Sequence, residues 1–536
     1  MIREEIEKII GREVVLVHPK SLDNGDYTLI VDEKTAEEDF EKLQTNKPES
    51  IAKIEFIKPR FINFYLSKEF FAKSIGEIIE RGNDFGKSDH AKGFKVMVEH
   101  TDPNPFKEFH IGHLMPNVIG SSLSRVFEWN GAEVKQANYQ GDVGMHVAKA
   151  LWKGDYVLGS RAYEEDPQAK LEIEEINKKV YDKSDPELNK RYEDGKKESL
   201  EKFEAMYRRL GTKFDYYFFE SETAPIGKKI VEDNIGKVFE ESEGAIVFKG
   251  SHTRVFINSQ GLPTYEAKDL GNAKNKFDRY PYDLSVVVTG NEIKEYFKVV
   301  LEAMSRVLPD LAKKTKHIPH GMLRLPTGKM SSRTGDVITA EELIEDVKRK
   351  LAPASPGGVP DEQVAIGAIK YMILRQAIGN DIIFDRVKSV STEGDSGVYL
   401  QYTYVRTNSL LEKADKEPDA NASRENTHEV ERLLYKFPEI VERAGKEYSP
   451  HYITTYLTEL AGSFNNFYAH EKIIDDKKEI ALYFLRQYRN IQSEILLAKN
   501  PALKDMIIKS IPASRKFEAT VSGLDPITMK PLSEIP

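Results

Sequence analysis

The chain has 536 residues, 40% of them hydrophobic and 31% charged, with a formal net charge of −9. This is room for several domains and the composition of an ordinary globular protein. No apolar run is long enough for a membrane span. The opening MIREEIEKIIGREVV lacks the apolar core of a signal peptide and the bias of a transit peptide, which predicts a cytoplasmic chain. The absence of cysteine excludes disulfides, thiolate catalysis and cysteine-based zinc sites, and the acidic balance excludes a broadly basic nucleic-acid coat.

In chain order, residues 1–88 read as a small α+β unit. An amphipathic opening helix leads to short strands at YTLIVD (27–32) and PRFINFYLS (59–67), and then to a helix at 68–82. A polar linker follows, and FKVMVEHT (94–101) reads as a strand. HTDPNPFKEFHIGHL (100–114) reads as a turn, because Gly112 and the upstream prolines oppose a helix there. Beyond it, Ile119, Leu123, Val126 and Phe127 fall at helical spacing, Gly131 closes the helix, and AEVKQANYQG supplies a second strand. One crossover unit of this length predicts parallel pairing. Residues 151–213 are charged and helical, and strand-like GAIVFKG and TRVFINSQG come next. LSVVVTG (284–290) is an apolar strand, followed by a helix and the polar loop PTGKMSSRTGD (326–336). After the breaker PASPGGVPDEQ (353–363) the chain reads as mostly helical. Two runs could form local basic faces, Lys313-Lys314-Thr315-Lys316-His317 and the group Lys274, Lys276 and Arg279; ordinary solvated lysines explain each as well. The whole predicts an α/β fold: a doubly wound parallel sheet, with a small α+β domain before it and an all-α region after it.

In such sheets ligands bind beyond the carboxyl ends of strands, where the histidine turn lies. His110 and His113 alone fit three readings: imidazoles satisfied by backbone, half of a metal site, or donors to a phosphate. The metal reading lacks the glutamate-centred zinc motif. Lys329-Met330-Ser331-Ser332, a glycine-flanked cationic loop after a later strand of the same sheet, favours the phosphate reading. Together the two loops outline a nucleotide site with histidines on one side of a triphosphate and a lysine on the other.

HIGH plus KMSS on such a sheet resembles a class I aminoacyl-tRNA synthetase. PNPFKEFHIGHL, ANYQGDVGMH (137–146), LPTYEAKD (262–269) and GDSGVYLQYTYVR (394–406) are similar to the arginyl-tRNA synthetase forms of that family's motifs. PRFINFYLS resembles the close of its additional N-terminal domain. Ala267 stands where the family usually carries threonine, and the tail after residue 473 lacks its usual last-helix pattern.

The resemblance implies four regions: an N-terminal tRNA-elbow domain (1–88), a catalytic Rossmann-like domain (89–352, with insertions at about 151–283), a helical stem (353–397) and an anticodon-binding domain (398–536). It implies an enzyme that activates arginine with ATP and charges tRNA(Arg), with Mg²⁺ accompanying the ATP, tRNA bound before activation, a monomeric state and no bound metal cofactor. ATP would be held by His110, Gly112, His113, Lys329, Met330, Ser331 and Ser332, with His110, His113 and Lys329 catalytic. Arginine would meet Glu99, Asn104, Glu220, Tyr265, Asp269 and Asn291. A fixed guanidinium cation wants carboxylates and neutral acceptors, and the Glu99, Glu220 and Asp269 set argues against a synthetase for an apolar amino acid. Intact His110, His113 and Lys329 argue against a non-catalytic RNA-binding relative. Tyr399, Tyr402, Tyr404, Phe464, Phe467 and Tyr468 are the aromatic candidates for stacking on anticodon bases.

Overall fold

Isoleucines four apart in IREEIEKII place Ile2, Ile6 and Ile10 on one buried stripe of helix α1 (Ile2–Ile10). In the computed structural model this helix covers an antiparallel sheet of β1 (Leu16–Val17), β2 (Tyr27–Ile30), β3 (Ile51–Ile57) and β4 (Phe61–Leu66), in the order β1-β2-β4-β3. Helices α2 (Ala36–Thr45) and α3 (Lys68–Arg81) complete the layer, the latter capped by Ser67, whose hydroxyl accepts from the Phe70 N–H.

The structure describes residues 2–324, 338–352, 361–385, 387–413 and 427–470. They divide into two compact units. The first gathers 2–86 with 403–413, 427–440 and 456–470, and the second holds the remainder. The KMSS residues Lys329, Met330, Ser331 and Ser332, and the tail beyond 470, lie outside the described residues.

The second unit is built on five parallel strands: β5 (Lys95–Glu99), β6 (Glu133–Gln140), β7 (Tyr216–Phe219), β11 (Leu284–Gly290) and β12 (Thr315–His320). Their order is β12-β11-β5-β6-β7, so the direction of winding reverses between β5 and β11. That reversal is the crevice where open α/β sheets bind ligands. Both strands carry the buried apolar run that a sheet covered on two faces requires, Val96–Val98 and Val286–Val288. Helix α4 (Ile111–Trp129) connects β5 to β6. Four helices, α5 (Met145–Lys153), α6 (Tyr156–Glu165), α7 (Pro167–Asp182) and α8 (Pro186–Leu210), lie between β6 and β7. Between β7 and β11 come α9 (Glu220–Glu232), the antiparallel ribbon β8 (Glu240–Ser242), β9 (Ala245–Lys249) and β10 (Thr253–Ile257), and α10 (Tyr265–Arg279). Helices α11 (Lys294–Val307) and α12 (Pro309–Lys314) precede β12. Short β13 (Leu323–Arg324) and β14 (Ile382–Ile383) pair in parallel, and α13 (Ala340–Leu351) and α14 (Glu362–Leu374) lie between them in the chain.

Two expectations need correction. The helix after the histidine turn begins at Ile111, so Gly112 and His113 are in its first turn. The upstream prolines precede its start, where they do not oppose it. Of the aromatic candidates on α15 (Gly397–Lys413) and on the helix His451–His470, Tyr404 and Phe464 are buried core residues and cannot stack on a base. Tyr399, Tyr402, Phe467 and Tyr468 are half-buried. Among the described residues no helix is long and apolar enough to cross a membrane.

Candidate active site

The loop from β5 to α4 is strained and heavily braced. Thr101, Asp102 and Phe106 all have positive φ (82°, 43° and 67°), a region that non-glycine residues avoid. Each is held in place. The Thr101 hydroxyl accepts from Asn117 Nδ2 at 3.1 Å and pairs with His100 Nδ1 at 2.8 Å. Asp102 Oδ1 accepts from the Tyr139 N–H at 2.8 Å, and the Phe106 N–H donates to Ser199 Oγ at 2.9 Å.

This bracing presents the two histidines. His110 caps α4: its Nδ1 accepts from the Gly112 N–H at 3.0 Å, while the His110 N–H donates to His113 Nδ1 at 3.3 Å. The rings stack with centroids 3.8 Å apart. Gly112 is required by this packing, since a Cβ there would lie 2.8 Å from the His110 ring. Burial, with Lys107 nearby, lowers the His110 pKa to about 4, and His113 is lowered too by burial, its neighbour His110 and Lys107. Both imidazoles are therefore neutral at pH 7. With each Nδ1 accepting a backbone N–H, the proton belongs on Nε2, which is left to donate. The first N–H groups of α4 are already used: Ile111 donates to Ile338 O at 3.2 Å and Gly112 to the His110 ring. A phosphate here would be met by side chains rather than by free helix N–H groups.

The acids converge beside this loop. Glu99 ends β5 and Glu220 opens α9. Asp269 lies on α10, whose inward stripe of Tyr265, Lys268, Asp269, Asn272 and Lys276 follows helical spacing. Glu99 Oε2 takes Lys276 Nζ at 2.8 Å and Asn272 Nδ2 at 2.9 Å. Glu220 Oε2 takes Lys268 Nζ at 2.6 Å. Asp269 Oδ2 accepts from the Tyr296 hydroxyl at 2.6 Å. Among the described residues, the other oxygen of each carboxylate has no protein hydrogen bond. Among the described residues, Asp269 has no cation in direct contact. Burial, reinforced by Glu99 and Glu220 and opposed by the Tyr296 bond and Lys276, raises its pKa to about 7. The chamber thus holds more carboxylate than its two lysines neutralise. Asn104 belongs to it as well: a Cβ on Gly141 would meet Asn104 Oδ1 at 2.2 Å and Glu220 Oε1 at 3.1 Å. Tyr265 stands at the rim, 55% exposed, with Lys268 Nζ 5.0 Å from its ring centre.

Asn291 is exposed in the turn after β11 and makes no side-chain hydrogen bond to these acids. The basic-face reading fails for Lys276, which is buried against Glu99; Lys274 and Lys314 are paired with Asp278 and Asp283. Sequence reasoning missed Lys268, Lys276, Asn272 and Tyr296 as chamber residues. Stepping three, four and seven residues along α10 from Asp269 and Tyr265 would have found the first three. It also assigned no role to Asp142, which is fully buried and takes Lys196 Nζ at 2.6 Å, the Tyr192 hydroxyl at 3.0 Å, and the Ser221 N–H at 2.8 Å. Asp142 thereby ties α8 to the start of α9 and fixes Glu220. Lys107 lies close enough to act electrostatically on both His110 and Glu220.

Two family models match the chain: the class I (R) tRNA synthetase catalytic domain over residues 74–205, and the DALR anticodon binding domain over 400–491. An arginine–tRNA ligase of Bacteroides thetaiotaomicron is 28% identical over 518 residues, covering 84% of this chain and 86% of that protein. One from Borrelia hermsii is 28% identical over 461 residues, covering 77% and 79%. Among solved structures, the arginyl-tRNA synthetase of Plasmodium falciparum superposes with a TM-score of 0.73 at 18% identity, covering 92% of this chain and 96% of that one. That of Thermus thermophilus gives 0.69 at 20%, covering 93% and 99%.

Proposed function

We infer that this chain, which belongs to the class I arginyl-tRNA synthetases, is an arginine–tRNA ligase. The arginine carboxylate attacks the α-phosphorus of ATP, the bond to pyrophosphate breaks, and arginyl-adenylate forms. The terminal ribose hydroxyl of tRNA(Arg) then attacks the arginyl carbonyl and AMP leaves. The observation that carries this reading is the under-neutralised chamber: three carboxylates, each with one oxygen uncommitted, on the crevice that also carries two neutral imidazoles. A guanidinium and an α-ammonium suit such a chamber, and Nε2–H donors suit charge growing on a phosphoryl group.

In this reading Glu99, Glu220 and Asp269 receive the cationic groups of arginine, with Asn104 and Tyr265 orienting the α-amino and carboxylate ends. Asn291 has the weakest support, because it is exposed and, among the described residues, makes no hydrogen bond to the acids. His110, Gly112 and His113 form the phosphate side of the ATP site. Lys329, with Met330, Ser331 and Ser332, takes the departing pyrophosphate. Supporting that pairing, the described segment just after the loop joins the histidine turn: Ala340 N donates to Phe109 O at 2.9 Å, and Ile111 N donates to Ile338 O. Mg²⁺ arrives on the ATP phosphates as part of the substrate. The four-region division, a monomeric state, a cytoplasmic location and a requirement for tRNA in activation belong to the same proposal. Most of the catalysis is positioning and charge stabilisation, since phosphoryl transfer needs little covalent help.

The test is pyrophosphate exchange into ATP with each of the twenty amino acids, with and without tRNA. Exchange with arginine alone among them is expected, and only when tRNA is present. Exchange with another amino acid would overturn the arginine reading. In single turnovers, Lys329→Ala should slow adenylate formation strongly and leave transfer from preformed adenylate to tRNA unchanged. Equal losses in both steps would remove Lys329 from the pyrophosphate site.

A further inference from the structure

Arg209, in the last turn of α8, is the hub of a five-residue ion network. Its Nε and Nη2 form a fork on Glu362 of α14 at 2.9 and 3.1 Å, and its Nη1 donates to Glu341 in the first turn of α13 at 2.9 Å. Glu345 lies 3.6 Å from Nη2. Lys348 closes the network on Glu345 at 2.9 Å and on Glu362 at 3.6 Å. The Arg209 side chain is 24% exposed, so the fork is partly shielded from water. Only a planar, five-donor cation can hold two helices in this way, since an ammonium acts as a point charge.

What this network fixes is the start of α13, which in turn fixes the histidine turn. Thr339 caps α13 and forms an isolated antiparallel bridge with His110. The hydrogen bonds Ala340 N to Phe109 O and Ile111 N to Ile338 O flank that bridge on both sides. Moving the first turn of α13 therefore moves the backbone that aims both imidazoles. The same arginine lines, with Lys107, Phe109, Thr339 and Glu341, a cleft of about 770 Å³ next to the turn, yet its donors are committed to carboxylates.

We propose that Arg209 is a positioning residue for the adenylation step, holding the first turn of α13 so that His110 and His113 keep their alignment. This rests on the synthetase reading above. Catalysis by positioning is steep, and a displacement of about 1 Å can cost on the order of 10²-fold; since Lys348 still links Glu345 of α13 to Glu362 of α14, a loss of roughly tenfold is expected. The experiment measures arginine-dependent pyrophosphate exchange in the presence of tRNA for wild type, Arg209→Gln, Arg209→Lys and Glu341→Gln, with Lys202→Ala as control. Lys202 lines the same cleft but, among the described residues, pairs with Glu198 alone. Arg209→Gln should lower the exchange kcat about tenfold at unchanged arginine KM while the variant stays fully folded at the assay temperature. Arg209→Lys should recover part of the rate, and Glu341→Gln, which breaks only the α13 arm, should lose roughly threefold. Transfer from preformed adenylate to tRNA should match wild type throughout. A wild-type kcat in both Arg209→Gln and Glu341→Gln would overturn the proposal, as would equal loss in the two half-reactions. Should Arg209→Gln fail to fold, Glu341→Gln decides alone. A wild type that shows no exchange with arginine would instead sink the synthetase reading itself.

Discussion

Two clusters of charge, one in each unit, are built to opposite ends. In the first unit Asp26 and Glu439 have both oxygens committed. Asp26 accepts from the Leu66 N–H at 2.9 Å and from Arg432 Nε at 2.8 Å. Glu439 accepts from the Tyr27 hydroxyl and lies 3.0 Å from His18 Nε2. Tyr435 completes the junction by entering the core of the N-terminal sheet, its ring centre 5.3 Å from that of Phe70. In the second unit Glu99, Glu220 and Asp269 each leave one oxygen without a protein donor. A saturated cluster has nothing left to offer a ligand and serves the fold, whereas an unsaturated one is held at some cost in stability until a ligand completes it. Substitutions in the two clusters should therefore divide between stability and activity.

The largest effect belongs to Asp269→Asn. It removes a carboxylate assigned to a fixed cation, at a cost of about 2–4 kcal/mol in arginine kcat/KM. ATP KM should hold, and the melting temperature at pH 8 should not fall, because a buried carboxylate held against its charged form is replaced by a neutral isostere. A rise in ATP KM would move Asp269 to the nucleotide half. His113→Ala comes next, with kcat lower by about 10²-fold at nearly constant arginine KM, since in the proposed role the imidazole acts on charge that develops during the reaction. Asp26→Asn should do the reverse of Asp269→Asn. Leaving Arg432 half-paired costs about 2 kcal/mol of unfolding free energy, visible in chemical denaturation, while arginine KM in the exchange assay stays at the wild-type value. Loss of exchange without loss of stability in Asp26→Asn would erase the distinction between the clusters.

How far each cluster could be read in the sequence follows the same line. Glu99 ends a strand and Glu220 opens a helix, places that the β–α alternation exposes, and Asp269 stands in the LPTYEAKD motif, so all three were legible as candidates from position and motif. Their counter-ions were not picked out, because Lys268 and Lys276 read as ordinary helix lysines until the inward stripe of α10 is traced. The histidine turn was legible as a candidate site, but the reason for its glycine was not. Gly112 makes room for the His110 ring, a packing fact that exists only once His110 caps α4. The junction of the first unit was invisible. Asp26 and Arg432 are 406 residues apart, and neither lies in a motif. The burial of Tyr404 and Phe464 was equally hidden, since spacing does not say which aromatic of a helix faces inward when the helix is surrounded.

Proton linkage sharpens the comparison at the scale of tenfold. Burial and the neighbouring acids push the Asp269 pKa up to about 7, and in the proposed role the arginine cation meets its ionised form. Below that value arginine must displace a proton, above it none. Arginine KM should therefore fall roughly tenfold between pH 6 and pH 8, the change expected for one linked proton. The histidines add nothing over that window, because both are already neutral, His110 with a pKa of about 4. The measurement is the pH profile of arginine KM in wild type and in Asp269→Asn. A flat wild-type profile, or the same slope in both, would mean that Asp269 does not meet the cation.

The smallest effect is the most discriminating in sign. Glu439 in the first unit is lowered below the usual carboxylate range. Burial pushes its pKa up, but His18 and the Tyr27 hydroxyl pull it down further. A depressed carboxyl adds stability that is present above its unfolded pKa of about 4.5 and lost as pH falls through the folded value. Asp269, with its pKa raised, runs the other way: it favours the folded chain only while protonated, and that contribution disappears as pH rises from about 4 towards 7. Glu439→Gln should thus destabilise mildly at pH 7, since its side chain is 41% exposed and water screens the pair. The difference from wild type should shrink on acidification below pH 4.5. Asp269→Asn should show little difference from wild type at pH 4 and grow more stable than wild type as pH rises to 8. Urea unfolding of the two variants across that range reads both slopes in one experiment. Slopes of the same sign would mean that the free oxygen of Asp269 has a partner after all, and that the two clusters are alike.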